Sequence, residues 1–367
     1  MGNLNWRHFD FWLLGAVVVM TIFGVTMIRS AVAGNIELEE ANIVQRQIIF
    51  AAIGFVVVFI VSLIDYHLWA SISRPMYIIS VIFLGALTIA GQALYGSARW
   101  FDTGVTLIQP SELAKIFVIL VLAEFFAHNQ ERIGNLRWVG QSFLYTLGIV
   151  IWIWLQPNLS TSLVIIVIWF ALLWITGLRL IHLFAFSAGG IALPFLVYPF
   201  LQEYQQRRIL NFLFPDPTAS YGENYNIQQA LISIGSGGVF GKGYFQGTQV
   251  HLWFLKVRWS DFIFATTAEE FGFVGAVVLM LLLLFVIYRC IRAARLARDT
   301  YGALICFGVA VLLAFQGFVN IGVNLRLLPA TGLPLPFISY GGSSLLSLLL
   351  GVGLVQSVII RHKSLEF

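Results

Sequence analysis

The chain has 367 residues, of which 59% are hydrophobic and only 10% charged, where an average soluble domain carries about 25% charged residues. This balance excludes an ordinary soluble enzyme and points to an all-α polytopic integral membrane protein of about ten transmembrane helices. The formal charge of +4 comes from basic residues scattered among apolar stretches, a pattern that anchors loops at a membrane surface and argues against nucleic acid as a partner.

A membrane crossing needs about 20 mostly apolar residues. In chain order the expected spans lie near 11–30, 43–63, 75–93, 111–128, 140–156, 158–176, 181–201, 262–288, 303–326 and 339–360. The first, Phe11–Ile28, reads as a span rather than a cleavable leader, because no small-residue cleavage site follows it. Arg46 stands at the outer start of the second. The fourth opens with Gln109-Pro110-Ser111, where Pro suits the first helical position and Ser111 a cap. Glu112 and Lys115 then fall three apart on one helical face. Charge at membrane depth is costly, so such a pair either neutralises itself or serves a site. The fifth and sixth spans meet at Gln156-Pro157, a very short connection.

Segment 202–260 is the one long polar region, rich in Gly, Gln, Tyr and Asn and without obvious periodic structure. Its Gly235-Ser-Gly-Gly and Gly241-Lys-Gly elements lack the spacing of a phosphate-binding P-loop. It carries Arg207, Arg208, Lys242, Lys256 and Arg258. Together with Arg99 and Lys115, these could bind an anionic headgroup, guanidinium groups in a forked manner and lysines as point charges. Taken singly, each reads better as a lipid-headgroup contact or a solubilising charge; it is the set that suggests a site. Asp261 follows at the junction with the eighth span, where a helix N-terminus favours the anion. It is either a simple cap or a carboxylate at the rim of a cavity, able to accept a proton or hold a metal. Glu269 and Glu270 lie about 12 Å further along the same helix. Being adjacent they need separate partners, and at least one is expected to bond a neighbouring helix.

Lysine and arginine in the short loops set the orientation. With a cytoplasmic N-terminus, the cytoplasmic side holds Arg7, Arg74, Arg132, Arg137, Arg179, Arg289, Arg292, Arg295, Arg298, Arg361 and Lys363. The opposite side, its long loop aside, holds only Arg29, Arg46, Arg99 and Arg326. Both termini are therefore expected in the cytoplasm and segment 202–260 outside. Cys290 and Cys306 fall near the cytoplasmic face, where no disulfide is expected. The 6 histidines are scattered and show no metal-ligand spacing. Neither an internal repeat nor a soluble domain is evident, so residues 1–367 read as one membrane domain.

Several motifs recur in order along nearly the whole chain. They are Arg99-Trp100, Ile108-Gln-Pro-Ser-Glu-Leu-Ala-Lys115, Gln156-Pro157, Tyr204-Gln-Gln-Arg-Arg208 and Ile232 to Gly238. Gly241-Lys-Gly243, Gly247-Thr-Gln249, Asp261-Phe-Ile-Phe264 and Ala268-Glu-Glu270 follow. Asn320-Ile-Gly322, Leu333-Pro-Leu-Pro336 and Ser339-Tyr-Gly-Gly-Ser343 complete the series. In this combination the chain resembles the SEDS family (shape, elongation, division and sporulation), whose RodA and FtsW branches are peptidoglycan glycosyltransferases. Gly241-Lys-Gly with Gly247-Thr-Gln, and Ala268-Glu-Glu, favour the RodA branch, which serves cell elongation and shape; the FtsW branch, which serves division, is the alternative. The chain departs from the family at Asn158, where Asp is usual after Gln-Pro. It departs again at Lys256–Ser260, where the family often has Pro-Glu-x-His-Thr before the catalytic Asp.

The resemblance implies polymerisation of lipid II into glycan strands at the outer face of a bacterial cytoplasmic membrane. Asp261 would be the general base, with a divalent cation (Mg or Mn) as cofactor and Asp261 as a ligand to it. Glu112, Lys115, Arg99, Arg207, Arg208, Lys242 and Arg46 would be substrate contacts. The expected partners are lipid II, membrane lipids and a class B penicillin-binding protein supplying transpeptidation. Two other classes of function compete: a flippase moving the lipid-linked precursor, and an inactive scaffold, which the two departures would suit.

Overall fold

The computed structural model describes the chain except residues 1–7, 35, 96–99, 103–106, 131–135, 179, 180, 183, 185, 187, 191–196, 216–221 and 363–367. The helices are α1 (Phe11–Val32), α2 (Ile36–Glu40), α3 (Ile43–Leu63), α4 (Tyr66–Tyr95), α5 (Pro110–His128), α6 (Leu136–Leu155), α7 (Leu159–Ile175), α8 (Glu203–Leu213), α9 (Gly222–Ser236), α10 (Thr248–His251), α11 (Ile263–Leu296), α12 (Thr300–Asn324) and α13 (Gly342–Ile360). A two-residue antiparallel pair, β1 (Phe101–Asp102) with β2 (Leu107–Ile108), leads into α5 and is, among the described residues, the one exception to the all-helical expectation.

Seven of the described helices, α1, α3, α4, α6, α11, α12 and α13, are long and apolar enough to cross a membrane. The α7 helix is apolar but shorter, and α5 carries Glu112, Lys115 and Glu124. Every expected span has its helix except 181–201, which includes residues outside the described ones, so the count of ten is not fixed. The chain is a bacterial membrane protein. Two boundaries moved. The α4 helix starts at Tyr66 and takes Pro75 into its interior, which membrane helices tolerate because neighbouring groups re-satisfy the freed carbonyl. The α11 helix runs on to Leu296 and carries Arg289, Arg292 and Arg295 beyond its apolar run.

Local chemistry sets several helix starts. The side chains of Asp10, Asn158 and Asp299 accept from Leu13, Thr161 and Gly302 backbone N–H groups and cap α1, α7 and α12. The α13 helix is buried almost throughout and is the central post, packed against α3, α5 and α12. Asp10 ties α1 to two other helices. Its backbone exchanges hydrogen bonds of 3.0 and 2.8 Å with the Gln356 side chain of α13, and its carboxylate pairs with Arg289 of α11 at 2.5 Å.

Segment 202–260 is not structureless: it folds into α8, α9 and α10. Its glycine-rich part repairs a break in α11. Gly272 has φ 68° and ψ −165°, which interrupts the helix. The Lys242 and Gly243 amides donate to the Glu269 and Glu270 carbonyls at 3.0 and 2.9 Å. Phe273 and Val274 amides donate to the Gly238 and Val239 carbonyls at 2.9 and 3.1 Å. Irregular backbone within a membrane-crossing helix is tolerated where protein satisfies it, as here. The approach explains the glycines: a Cβ at Gly237 would come within 2.0 Å of the Ala268 carbonyl oxygen, and one at Gly241 within 2.1 Å of that of Glu270.

Candidate active site

Three chain segments meet around a cavity of about 290 Å³. The start of α5 supplies Gln109 and Glu112, the turn before α11 supplies Ser260 and Asp261, and residues 331–344 form much of the remaining wall. Trp100, Asn158, Thr161 and Arg208 complete it. The starts of α5 and α13 are joined directly, the Ser343 hydroxyl accepting from Gln109 N–H at 2.9 Å.

Asp261 is half-buried on the cavity wall. The Ser260 hydroxyl donates to its Oδ1 at 3.0 Å. The surrounding backbone is held carbonyl by carbonyl. Asn320 and Asn324 of α12 each donate Nδ2 to the Asp261 carbonyl at 3.0 Å. The Ser339 hydroxyl donates to that of Ser260 at 2.7 Å, and the Tyr340 amide to that of Trp259 at 2.9 Å. Asn324 also accepts from the Ala265 amide at 3.1 Å, in the first turn of α11. Asp261 is therefore more than a cap: its side chain faces a polar cavity while its main chain is fixed by a different helix.

Glu112 lines the same cavity and accepts from Lys115 Nζ at 2.8 Å, with both side chains buried. The expected one-face pair is present, and Lys115 reaches the cavity only through Glu112. Of the other expected cations, Arg208 lines the cavity and lies over the Tyr204 ring at 5.4 Å. Arg207 projects from α8 toward solvent, 3.5 Å from Glu203. Arg46 sits one layer back and hydrogen-bonds Tyr340; burial raises the pKa of that phenol, against the lowering effect of Arg46. Arg99 lies outside the described residues, although its neighbour Trp100 lines the cavity. Lys242 does not line it. Its ammonium pairs with buried Glu269 at 2.8 Å, and that carboxylate also accepts from the Gln249 and Val250 amides at 2.9 and 3.3 Å. The two adjacent glutamates do take separate partners: Glu269 holds the outer loop, and Glu270 accepts from Ser30 of α1.

Both departures from the family pattern have local roles. Asn158 caps α7 through Oδ1, 3.3 Å from Thr161 N–H, and lines the cavity. Arg258 is buried, donates to the Ala31 carbonyl at 2.5 Å, and lies 5.9 Å from the Trp253 and Trp259 ring centres. Burial pushes its pKa down to about 10. Thr161, Thr331, Tyr340 and Ser343 also line the cavity, and of these four Tyr340 and Ser343 belong to the Ser339-Tyr-Gly-Gly-Ser343 motif.

The donor set can be tested against a divalent cation. Among the described residues no group of three or more His, Cys, Asp or Glu converges, so an all-protein cage is absent there. The cavity offers hard oxygens instead: the Asp261 and Glu112 carboxylates and the Thr331 hydroxyl, which is buried without a partner. One or two carboxylates completed by water and substrate phosphate is how Mg²⁺ usually binds. The residues fit a cation bound in that manner.

A family model described as "Cell cycle protein", covering FtsW, RodA and SpoVE, matches residues 11–364. A protein of Trichlorobacter lovleyi named "Probable peptidoglycan glycosyltransferase FtsW" is 36% identical over 361 residues, spanning 96% of this chain and 93% of that protein. The "Peptidoglycan glycosyltransferase MrdB" of Escherichia coli K12 is 34% identical over 361 residues, spanning 98% and 95%. A solved structure described as "Structural coordination of polymerization and crosslinking by a peptidoglycan synthase complex" superposes with TM-score 0.80 at 29% identity, covering 96% of this chain and 98% of that one. FtsW and MrdB relatives match almost equally, so the expected placement in the RodA branch is not separated from the FtsW alternative.

Proposed function

The chain belongs to the FtsW/RodA/SpoVE family and is a peptidoglycan glycosyltransferase; from that premise we propose that the Asp261 cavity is where it joins lipid II units, with Asp261 as the general base. The observation that carries this reading is that Asp261 lines the polar cavity while two asparagines of α12 hold its main chain. Glu112, on the same wall, is paired with buried Lys115 at 2.8 Å.

In the reaction, the acceptor sugar hydroxyl attacks the anomeric carbon of the donor and loses its proton to Asp261 as the bond to the leaving pyrophosphate breaks. Arg208 stabilises charge developing on the pyrophosphate, as a forked guanidinium suits phosphate oxygens. Glu112 and Lys115 form the fixed polar wall, and Arg46 supports Tyr340 from behind. Asp261 and Thr331 would hold a divalent cation, which when bound supplies further stabilisation of phosphate charge. The cavity is placed at the outer face and both termini in the cytoplasm. The support is that Asp261 and the Arg289–Arg298 cluster stand at opposite ends of α11, and clustered arginine marks the cytoplasmic end. A class B penicillin-binding protein is proposed as the partner that adds crosslinking.

The test is polymerisation of purified lipid II with Mg²⁺ or Mn²⁺. Wild type is expected to form glycan strands, and Asp261→Ala to lose about 10²–10⁴-fold in rate at unchanged protein level. Movement of lipid II between leaflets without any polymer would establish the flippase reading instead. Polymer formed only after adding the penicillin-binding protein would identify partner activation.

A further inference from the structure

The end of the bundle remote from Asp261 holds a second cavity, about 370 Å³, between the start of α1, the end of α11 and the end of α13. The walls combine cations, imidazoles and lipid-facing rings. Arg289 and Arg292 lie one turn apart on α11, and His8 and His362 approach edge to face with ring centres 4.3 Å apart. Phe11 and Trp12 line the cavity yet remain 68% and 72% exposed on the outside of the bundle.

Among the described residues the charge is not self-compensating. Asp10 pairs with Arg289 at 2.5 Å while also capping α1. Among the described residues, Arg292 pairs with no acid. Within the described residues one cationic charge is therefore left over, on a wall whose geometry is fixed by the Asp10–Gln356 and Asp10–Arg289 bonds. Burial, and then the neighbouring His362, hold the His8 ring below the ordinary histidine pKa, which leaves a neutral imidazole able to donate an N–H without adding charge. A single uncompensated guanidinium beside a hydrogen-bond donor matches a singly charged phosphodiester. Exposed aromatic rings at the same rim suit the upper part of an acyl chain at a membrane interface.

We propose that this cavity binds the phosphodiester headgroup of an anionic phospholipid, with Arg292 as the principal contact and Phe11 and Trp12 receiving the acyl chains. A free phosphate shares the headgroup chemistry but makes no use of the two rings, and the test separates the two. The full-length protein in detergent is offered phosphatidylglycerol or phosphatidylcholine of the same chains, and bound lipid is read by native mass spectrometry. Wild type is expected to retain phosphatidylglycerol in preference, and Arg292→Gln to lose about tenfold in its affinity, as expected for removal of a charge-assisted hydrogen bond. Arg326→Gln, at the opposite end of the molecule just after α12, is expected to change nothing. Thermal unfolding without added lipid reports whether Arg292→Gln is folded; if it is not, Arg292→Lys, which keeps charge and loses the fork, tests the same contact by a smaller loss. Equal retention of both lipids by wild type, equal losses in Arg292→Gln and Arg326→Gln, or displacement of phosphatidylglycerol by inorganic phosphate alone would each overturn the assignment.

Discussion

Asp261 is positioned mainly through its carbonyl. Two asparagine amides from α12 converge on that oxygen, each at 3.0 Å, so the main chain that carries the carboxylate is held by a neighbouring helix. Asn324→Leu removes one of these donors and strands the Ala265 amide, which Asn324 Oδ1 accepts at 3.1 Å. A loss of about 1–3 kcal/mol in stability is expected, with polymerisation rate falling more than lipid II affinity; thermal unfolding and a KM-against-kcat comparison check both. Asn158 supports a second prediction. Its Oδ1 caps α7, a role that Asp fills equally well. Asn158→Asp should keep the unfolding temperature while adding a carboxylate to the cavity and tightening dependence on divalent cation, read by metal titration of the polymerisation rate. A lower unfolding temperature with unchanged metal dependence would refute it.

At the scale of elements, α5 and α11 show what the chain's pattern revealed and what it concealed. Glu112 and Lys115 were legible as a pair because three-residue spacing on a helix leaves few alternatives for charge at membrane depth, and they are 2.8 Å apart. Removing one partner leaves a buried charge unopposed, so Glu112→Gln should cost about 3–5 kcal/mol, and the double change Glu112→Gln with Lys115→Met should recover much of it; unfolding of the three variants measures this. Lys242 was not legible in the same way. Nothing in Gly241-Lys-Gly243 announces that its ammonium turns to Glu269, 27 positions later, rather than to the Asp261 cavity. That pairing depends on Gly272 breaking α11, and an isolated glycine in an apolar run gives no sign of its φ. The helices inside 202–260 were concealed for a related reason: α8 is short and rich in Gln and Arg, and α9 takes its place by packing against α11, a contact that local pattern does not announce. The span ends at Pro75 and Arg289 misled because hydropathy marks where lipid ends, whereas hydrogen bonding marks where the helix ends.

Across the whole molecule, the proposed orientation makes a topological prediction. Cys290 and Cys306 are both buried, so single cysteines introduced at the surface report alone. Lys256→Cys should react with a membrane-impermeant thiol reagent in intact cells, and Arg298→Cys only after permeabilisation. The reverse pattern would place the Asp261 cavity on the cytoplasmic side and remove the sugar-joining reading. The stitched break at Gly272 reaches further, into assembly. During synthesis residues 238–243 emerge before residues 269–274, so their amides and carbonyls wait without partners until the later helix arrives. The two strips then zip or separate as one event, and the Asp261-bearing first turns of α11 go with them. In hydrogen exchange, the Lys242, Gly243, Phe273 and Val274 amides should therefore open together at a single rate. A glycine-to-alanine change at position 241 should accelerate all four in concert, while amides in the buried α13 post keep their own slower clock.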